Sequence, residues 1–415
     1  MQSIRSDAEL MIKNIIADNM PRQAVEVALK EHEFSGRIYM VAIGKAAWTM
    51  AKTASDFLGD RLEKGIVVTK YDHSQGALPR IDIYEAGHPV SDENTISATH
   101  ECVKLAKGLT DQDELLFLVS GGGSALFEKP LDGLTLEDFK DVTTQLLASG
   151  ADIVEMNMVR KRFSSVKAGR FAQLAAPAQV FAVILSDVLG DRLDSIASGP
   201  AVPDKSSVED AQKVVEKYNL ELTEQQRKYM LVETPKEIDN VEIVITGSVR
   251  TLCESAAKTA KELGYTPFVL TTLMNCEAAE AGRLLSTIAA DTQNGRNSFS
   301  KPCAIITGGE TVVTLKGKGK GGRNQELALA AAKGIAELDQ TLVFSLGSDG
   351  TDGPTDAAGG ITDGKTVANL KKQGIDIDKI LADNDAYHAL KAIDGLIITG
   401  PTGTNVNDVT VILCR

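Results

Sequence analysis

Cysteine, long apolar runs and low-complexity tracts are scarce or missing in this 415-residue sequence. The five cysteines are scattered and odd in number, without a Cys-x-x-Cys pair, which argues against a disulfide framework and a thiolate zinc site. No segment approaches the roughly 20 apolar residues that a membrane span needs. The amphipathic N-terminal pattern contains acidic residues, unlike a signal or transit peptide. We therefore expect a soluble, cytoplasmic protein.

Positive charge is also in deficit. The chain carries 44 Lys and Arg residues against 57 Asp and Glu residues, a formal net charge of −13. Because a nucleic-acid backbone demands a basic face, we expect no nucleic-acid partner, and no membrane partner either. A small anionic ligand needs only local positive charge, so the composition is compatible with small-molecule substrates, and also with a homo-oligomer.

Strand-like runs alternate with helical periodicity along almost the whole chain, which predicts sheets covered by helices. The predicted strands are 37–43, 64–69, 80–86, 114–120 and 178–186, then 241–247, 266–272, 303–309, 311–317, 341–347, 395–400 and 409–414. The turn-rich stretch TPKEIDN, at 234–240, is the best candidate for a boundary. We predict two three-layer α/β/α domains with largely parallel sheets and a cleft between them: a Rossmann-like domain at 1–236 and a second domain at 237–415.

The most informative segment is LLFLVSGGGS, at residues 115–124. Closely spaced glycines after a buried strand place backbone N–H groups where side chains would otherwise stand, which makes a cradle for anionic oxygens. Six other predicted strands also end in glycine, serine or aspartate. Glycine at one such loop can serve only to allow a tight turn, but seven loops in two domains favour a ligand cleft at the strand ends.

Two cations stand out against the acidic background. Lys45 follows the first strand and opens a predicted helix, a poor position for a lysine unless an anion is there too. Arg323 follows a glycine loop that contains Lys316, Lys318 and Lys320, and these charges would repel one another without a bound anion. The alternative for Lys45 is a solvated first-turn lysine.

Acidic residues lie on two loops that follow predicted strands. Asp187 and Asp191 belong to SDVLGD, while Asp349, Asp352 and Asp356 belong to SDGTDGPTD. Aspartates near a polyphosphate commonly hold Mg²⁺, or one can accept the proton of an attacking hydroxyl. For Asp352 and Asp356, local turn chemistry is an equal alternative, whereas Asp187 directly ends a very apolar strand and favours a functional role.

Three further patterns are less specific. GGITDGKT at 359–366 matches a P-loop by letters, but no predicted strand precedes it, so we interpret the match as chance. GKGKGG at 317–322 matches a dinucleotide-binding pattern weakly and keeps an oxidoreductase open as an alternative. His88 precedes a proline and a capped helix, which favours a role in a turn.

Taken together, the sequence resembles the glycerate 2-kinase family, the type whose C-terminal domain is called MOFRL. The matching stretches follow family order over nearly the whole chain and include VAIGKAAWTMA, FLVSGGGSALFE, LSDVLGDRLDSIASGPA, GKGGRNQELAL, GSDGTDGPTDAAGG and TGPTGTNVND. The resemblance implies ATP-dependent phosphorylation of D-glycerate at its 2-hydroxyl, with a divalent cation such as Mg²⁺. It also implies that Lys45 and Arg323 are the catalytic lysine and arginine, and the sequence shows no departure at either position.

The residues can then be given expected roles. Amides of the glycine segment would hold phosphate oxygens, and the two cations would meet the charge on the transferring group. Asp187, alone or with Asp191, would bind Mg²⁺ or orient the glycerate hydroxyl. The remaining predicted substrate- or nucleotide-binding residues are Ser120, Gly121, Gly122, Gly123, Ser124, Asn157, Arg160, Lys161, Glu310, Asn324 and Asp349.

Alternatives remain open for part of this assignment. Asn157, Arg160 and Lys161 could instead form a solvated helix face. A hydroxypyruvate reductase would act on a related three-carbon acid, with GKGKGG serving a nicotinamide cofactor. A non-catalytic sugar-phosphate binding protein would also explain glycine-rich loops, although it would not need two cations and several aspartates together.

Overall fold

The computed structural model describes residues 3–415 as alternating strands and helices. The strands are β1 (Arg37–Ile43), β2 (Leu62–Lys70), β3 (Ile81–Ala86), β4 (Asp113–Val119), β5 (Gln179–Leu185), β6 (Val241–Gly247), β7 (Thr266–Met274), β8 (Cys303–Gly309), β9 (Thr341–Gly347), β10 (Gly359–Asp363), β11 (Leu396–Ile397) and β12 (Asp408–Cys414). The helices are α1 (Ile4–Asp18), α2 (Pro21–Glu31), α3 (Ala47–Leu58), α4 (Glu93–Lys107), α5 (Gly123–Leu126), α6 (Leu136–Ala148), α7 (Ile153–Arg160), α8 (Arg170–Ala175), α9 (Val208–Lys217), α10 (Glu224–Met230), α11 (Val249–Glu262), α12 (Ala278–Gln293), α13 (Arg323–Gly334), α14 (Thr366–Lys372), α15 (Ile377–Ala382) and α16 (Ala386–Ala392). The predicted α/β class is confirmed.

The chain forms two compact units. The first unit is Val25–Thr246, and the second unit joins the residues up to Ala24 with Gly247–Arg415. These limits differ from the predicted ranges 1–236 and 237–415. Two elements account for the difference: β6 extends the first sheet beside β5, and α1 packs on α11 of the second unit.

The first sheet has the strand order β3-β2-β1-β4-β5-β6. Its pairs from β3 to β5 are parallel, and every residue of β4 is buried, as expected for a sheet covered on both faces. Phe117 on β4 packs against Phe171, with ring centroids 4.9 Å apart. Ile43 pairs with Val119, so the loops that follow β1 and β4 begin side by side at one edge of the sheet.

The second sheet, ordered β11-β10-β9-β12-β8-β7, is mixed, so the prediction of a largely parallel sheet is wrong here. Only β7 and β8 pair in parallel. The C-terminal strand β12 lies between β8 and β9 and runs antiparallel to both, and β10 is antiparallel to β9 and β11. Helices α11, α12 and α13 pack against this sheet.

Two elements of the second unit differ from the predictions. The segment 311–317 forms no strand, because Val312 bonds through its backbone to Cys276 and Ala278 instead of joining a sheet edge. Strand β10 was not predicted, and it contains the first five residues of GGITDGKT. That segment is therefore a strand and not a phosphate-binding loop, which agrees with its interpretation as a chance match.

The segment 153–170, whose helical periodicity predicts one continuous helix, is divided in the structure. Helix α7 ends at Arg160, a single 3₁₀ turn follows at Lys161–Phe163, and α8 begins at Arg170. Gly169, which caps α8, has the left-handed φ of +80° that glycine tolerates. Within residues 3–415, the helices are all too short or too polar to cross a membrane.

Candidate active site

The glycine segment forms a tight turn at the end of β4. Gly122 has a φ of +86°, a conformation that favours glycine. The Ser120 hydroxyl donates to the carbonyl of Ile43 at 3.2 Å and accepts from the amide of Ala46 at 3.1 Å, so it joins this turn to the loop after β1. Helix α5, which follows, has only four residues. The turn amides and nearby cations therefore supply most of the attraction for an anion. The dipole of such a short helix contributes less than the sequence implied.

Lys45 lies against this glycine turn. Its amide donates to the Gly121 carbonyl at 2.9 Å. A Cβ atom added to Gly122 would lie 3.3 Å from Lys45 Cε, so the lysine side chain passes beside the turn. Helix α3 begins at Ala47, two residues later than predicted. The structure thus brings together two of the residues that the sequence singled out.

His88 borders the same turn from the loop that follows β3. Its Cδ2 and Nε2 atoms would each be 3.0 Å from a Cβ on Gly122. Burial and the charge of Lys45 lower the pKa of His88 below its usual value, so the ring is neutral at pH 7. The sequence favoured only a turn role for this residue. Its position after a strand of the same parallel sheet was the signal that could have placed it here.

Asp187 is the acidic group nearest to the glycine turn among those the sequence proposed. A Cβ on Gly121 would lie 2.4 Å from Asp187 Oδ2, so the carboxylate packs directly against the glycine backbone. Asp191 has a left-handed φ of +50° in the same loop, and its amide donates to the Val188 carbonyl. Across residues 3–415, no group of three or more His, Cys, Asp or Glu side chains could hold a metal ion by itself.

Asn157 is linked to the glycine turn through contacts between side chains. The Ser198 hydroxyl donates to the side-chain oxygen of Asn157 at 3.3 Å and lies 3.2 Å from the Ser124 hydroxyl. Ser198 and Ala197 both have left-handed backbones, with φ of +61° and +49°. Asn157 is therefore connected to the predicted site, but as a buried supporting residue.

Lys167 is a buried cation that the sequence reasoning missed, and no motif pointed to it. Its ammonium donates to the carbonyls of Gly123, Ser124 and Ala197 at 3.4, 3.1 and 3.0 Å. Burial lowers the pKa of Lys167 to about 8, and the buried carboxylate of Glu128 opposes that shift. Because these carbonyls face the lysine, it stabilises the backbone orientation of the turn.

Arg160 and Lys161 have partners within the protein. Arg160 lies over the ring of Phe139, 5.0 Å from its centroid. Lys161 is only 4% exposed and pairs with the equally buried Asp204 at 3.7 Å. Burial lowers the pKa of Lys161 and Asp204 opposes that effect. A solvated helix face is therefore wrong for Lys161, and ligand contact by these two residues stays a prediction.

Arg323 begins helix α13 in the second unit and is held by two acids. Its Nε and Nη2 atoms donate to Asp408 at 2.6 and 3.0 Å, and its Nη1 atom donates to Glu310 at 2.7 Å. Burial raises the pKa of Asp408 to about 6, against the opposing effect of Arg323. Asp408 was not predicted as a site residue, although it ends the matching stretch TGPTGTNVND.

Three polar residues that the sequence singled out in the second unit take part in local structure. Asp352 accepts from the amides of Asn324 and Gln325 at 3.1 and 2.8 Å, and so caps helix α13. The Asn324 side-chain oxygen accepts from Ser345 at 2.6 Å in the core. Asp356 accepts from the Tyr387 hydroxyl at 2.8 Å. Of the two alternatives for Asp352 and Asp356, turn and cap chemistry describes these contacts.

The lysine-rich loop before Arg323 also has internal partners. The amides of Lys318 and Lys320 donate to the carboxylates of Asp383 and Asp385 at 3.0 and 2.8 Å. These hydrogen bonds come from backbone amides and hold the loop in place without engaging the lysine ammonium groups, so the expectation that these lysines need a bound anion stays a prediction. Asp349 lies on the loop after β9, where its carboxylate accepts from the amide of Thr351 at 3.0 Å.

Glycine, lysine, histidine and aspartate at the strand ends of a parallel sheet are the arrangement of an α/β enzyme acting on small anionic molecules. The chain belongs to the glycerate 2-kinase family. Residues 7–231 match the family described as "Domain of unknown function (DUF4147)", and residues 303–408 match the MOFRL family.

Relatives match nearly the full length of the chain. D-glycerate 2-kinase of Thermotoga maritima is 51% identical over 99% of this chain and 98% of its own. Glycerate 2-kinase of Pyrococcus horikoshii is 42% identical over 92% of this chain and 88% of its own. The crystal structure of glycerate kinase from T. maritima has a TM-score of 0.96 and covers 99% of both chains, with 51% identity.

Two relatives of lower identity, both from Agrobacterium vitis, carry a different name. One of them, named provisionally as a hydroxypyruvate reductase, is 38% identical over 96% of this chain and 92% of its own. Its identity is lower than that of both glycerate 2-kinases.

Proposed function

We propose that the protein transfers the γ-phosphoryl group of ATP to the 2-hydroxyl of D-glycerate and forms 2-phosphoglycerate and ADP. The observation that carries this proposal is the convergence of Lys45 and Asp187 on the glycine turn after β4. A turn of backbone donors, flanked by one cation and one carboxylate, suits a phosphoryl group better than it suits a nicotinamide ring. The named activity of the relatives that are 51% and 42% identical supports the same conclusion.

The first unit supplies the cradle in this mechanism. The amides of Gly121, Gly122 and Gly123 hold anionic oxygens, and Lys45 neutralises charge that develops on the transferring group. Neutral His88 borders the turn and orients a ligand oxygen there. Phosphoryl transfer needs little covalent assistance, so these groups act by position and charge.

A divalent cation fits the residues at this turn. Mg²⁺ in phosphoryl-transfer sites is usually bound through one or two carboxylates together with substrate phosphates, so a full protein cage is not required. Asp187, packed against Gly121, has the chemistry and position for such a ligand, and Asp191 in the same loop is the second candidate. When bound, the cation would neutralise phosphate charge.

Arg323 is the proposed second catalytic cation. Its planar fork suits the equatorial oxygens of a transferring phosphoryl group. Asp408 fixes the plane of the guanidinium, while Glu310 is the more exposed partner, with 43% of its side chain accessible, and is the one that a phosphate would displace. The interdomain cleft expected from the sequence stays a prediction.

The decisive test is product analysis with the purified protein. We expect ATP consumption that depends on D-glycerate and Mg²⁺, with phosphorus NMR placing the new phosphate on C2. Phosphate on C3 would contradict the regiochemistry. Oxidation of reduced nicotinamide with hydroxypyruvate would favour the reductase, and ligand binding without ATP consumption would favour a binding protein.

A further inference from the structure

A cavity of about 610 Å³ lies in the second unit beside Arg323. Its lining combines apolar residues, carboxylates and glycine backbone, and includes Val312, Leu315, Pro354, Glu326 and Asp349. The mechanism above uses only Arg323 at its wall. Glycerate, a three-carbon acid, would fill a small part of this volume, whereas such a size is ordinary for a drug-sized ligand.

The apolar wall is exposed without a structural reason. Leu315 is 81% exposed and Val312 is 56% exposed, although both sit at a concave surface. The segment that carries them is held in place: Val312 exchanges two backbone hydrogen bonds with Cys276 and Ala278. The amide of Lys316 donates to Asn384 at 2.7 Å. Two ordered apolar side chains therefore face a cavity that no part of this unit fills.

The charges of the cavity define what can enter it. The cavity is lined by three acidic residues, Glu326, Asp349 and Asp352, and by one cation, Arg323. This acidic interior repels phosphate and carboxylate groups, but carboxylates accept hydrogen bonds from ribose hydroxyls, as acidic residues do in dinucleotide sites. A ligand that places a neutral, flat group on the apolar wall and a hydroxylated group beside the carboxylates matches both the apolar and the acidic parts of the cavity. Only the end near Arg323 suits an anion.

We propose that this cavity binds the nucleoside part of ATP. The base lies on Leu315 and Val312, the ribose hydroxyls face Asp349, and the phosphates leave the cavity at Arg323. This assignment deepens the proposed kinase function and rests on it for the identity of the nucleotide. It places nucleoside recognition in the second unit and leaves the glycine turn to the phosphoryl group and glycerate.

The test compares two exposed leucines of the second unit. Leu315→Asp removes an apolar contact and places a hydrated carboxylate where the base would lie, while Leu284→Asp makes the same change on α12, where the leucine is 63% exposed and outside the cavity. We expect Leu315→Asp to raise KM for ATP roughly 10-fold or more, with kcat and KM for D-glycerate within about 2-fold. Leu284→Asp should match the wild type in all three constants.

Calorimetric titration with ADP and with inorganic pyrophosphate gives a second readout that needs no turnover. Leu315→Asp should weaken ADP roughly 10-fold and leave pyrophosphate unchanged, because only ADP carries the base. Unchanged ADP affinity, or equal loss for pyrophosphate, would overturn the cavity assignment. If the wild type consumes no ATP with D-glycerate, the kinase proposal fails, while the ADP titration still decides the cavity.

Discussion

Both carboxylate oxygens of Asp408 accept hydrogen bonds from Arg323. Nε donates to Oδ2 at 2.6 Å, and Nη2 donates to Oδ1 at 3.0 Å. Asp408 opens β12 and pairs there with Gly309 and Gly347, the last residues of β8 and β9. The acid is thus held by two neighbouring strands, and a bidentate pair fixes the plane of the guanidinium as well as its position. Through Asp408, the sheet therefore holds the Arg323 side chain in one orientation.

Asp408→Asn should lower kcat by roughly 10²-fold and change KM for both substrates by less than about 3-fold, since the amide keeps the shape but loses the charge that orients Arg323. Steady-state kinetics measures the changes in kcat and in KM separately. A large rise in KM with normal kcat would show that the pair serves binding and not transfer. Asp408→Glu, which keeps the charge, should recover part of kcat.

The pH dependence of kcat should report the same pair. Burial raises the pKa of Asp408 to about 6, so the carboxylate is charged above that pH and takes a proton as pH falls through it. Wild-type kcat should then decline below about pH 6, and Asp408→Asn should lack this limb. A variant that keeps the wild-type acid limb would assign the titration to another group.

Arg323→Ala should reduce kcat by roughly 10³-fold or more, as arginines on transferring phosphoryl groups can. Arg323→Lys should recover little activity, because a point charge cannot replace the planar fork. The control is Arg283→Ala on α12, whose side chain is 56% exposed, and it should retain normal turnover. Near-normal kcat in Arg323→Ala would refute its catalytic role.

Gly122→Ala should lower kcat by roughly 10²-fold, since the added Cβ would press on His88 and Lys45 and displace the lysine. Its φ of +86° also costs an alanine about 1–2 kcal/mol. Gly150→Ala is the matched control, with a φ of +75° and no atom within 4 Å of the new Cβ. Both variants should lose similar stability in thermal unfolding, but only Gly122→Ala should lose activity.

Lys167→Met should destabilise the protein by about 3–5 kcal/mol, because it leaves buried carbonyls and the Glu128 carboxylate without their cation. Lys213→Met, at a lysine 75% exposed, should change the free energy of unfolding by less than about 0.5 kcal/mol. In denaturant unfolding, Lys167→Met with Glu128→Gln should cost at least about 0.5 kcal/mol less than the sum of the single changes. Strict additivity would show that the two groups do not interact.

Sequence patterns predicted the first sheet well because its strands are continuous apolar runs and its connections are regular. Strands β1, β4 and β5 fall within a residue or two of the predicted limits. The second sheet was harder, because β10 contains two glycines and shows no strand period, while the strand predicted at 395–400 is only the two residues of β11. Nothing local in residues 409–414 indicates that β12 inserts between β8 and β9.

Sequence prediction placed candidate site residues together where their position depends on the backbone. The glycine turn, Lys45 and Asp187 each follow a strand of one parallel sheet, and parallel strands bring their carboxyl ends to one edge. It was less successful for residues whose partners are distant along the chain. Lys167 and Asp408 act through carbonyls and a guanidinium that only folding brings near, and Asp352 caps a helix that begins 29 residues earlier.

The sequence by itself determined the α/β class, the family and the glycine turn, because strand period, turn chemistry and long motifs are local properties of the chain. Only the tertiary structure decided which charges are paired inside the protein, which support the turn and which line a cavity. Those distinctions depend on burial and on contacts between distant segments, and both are set by packing.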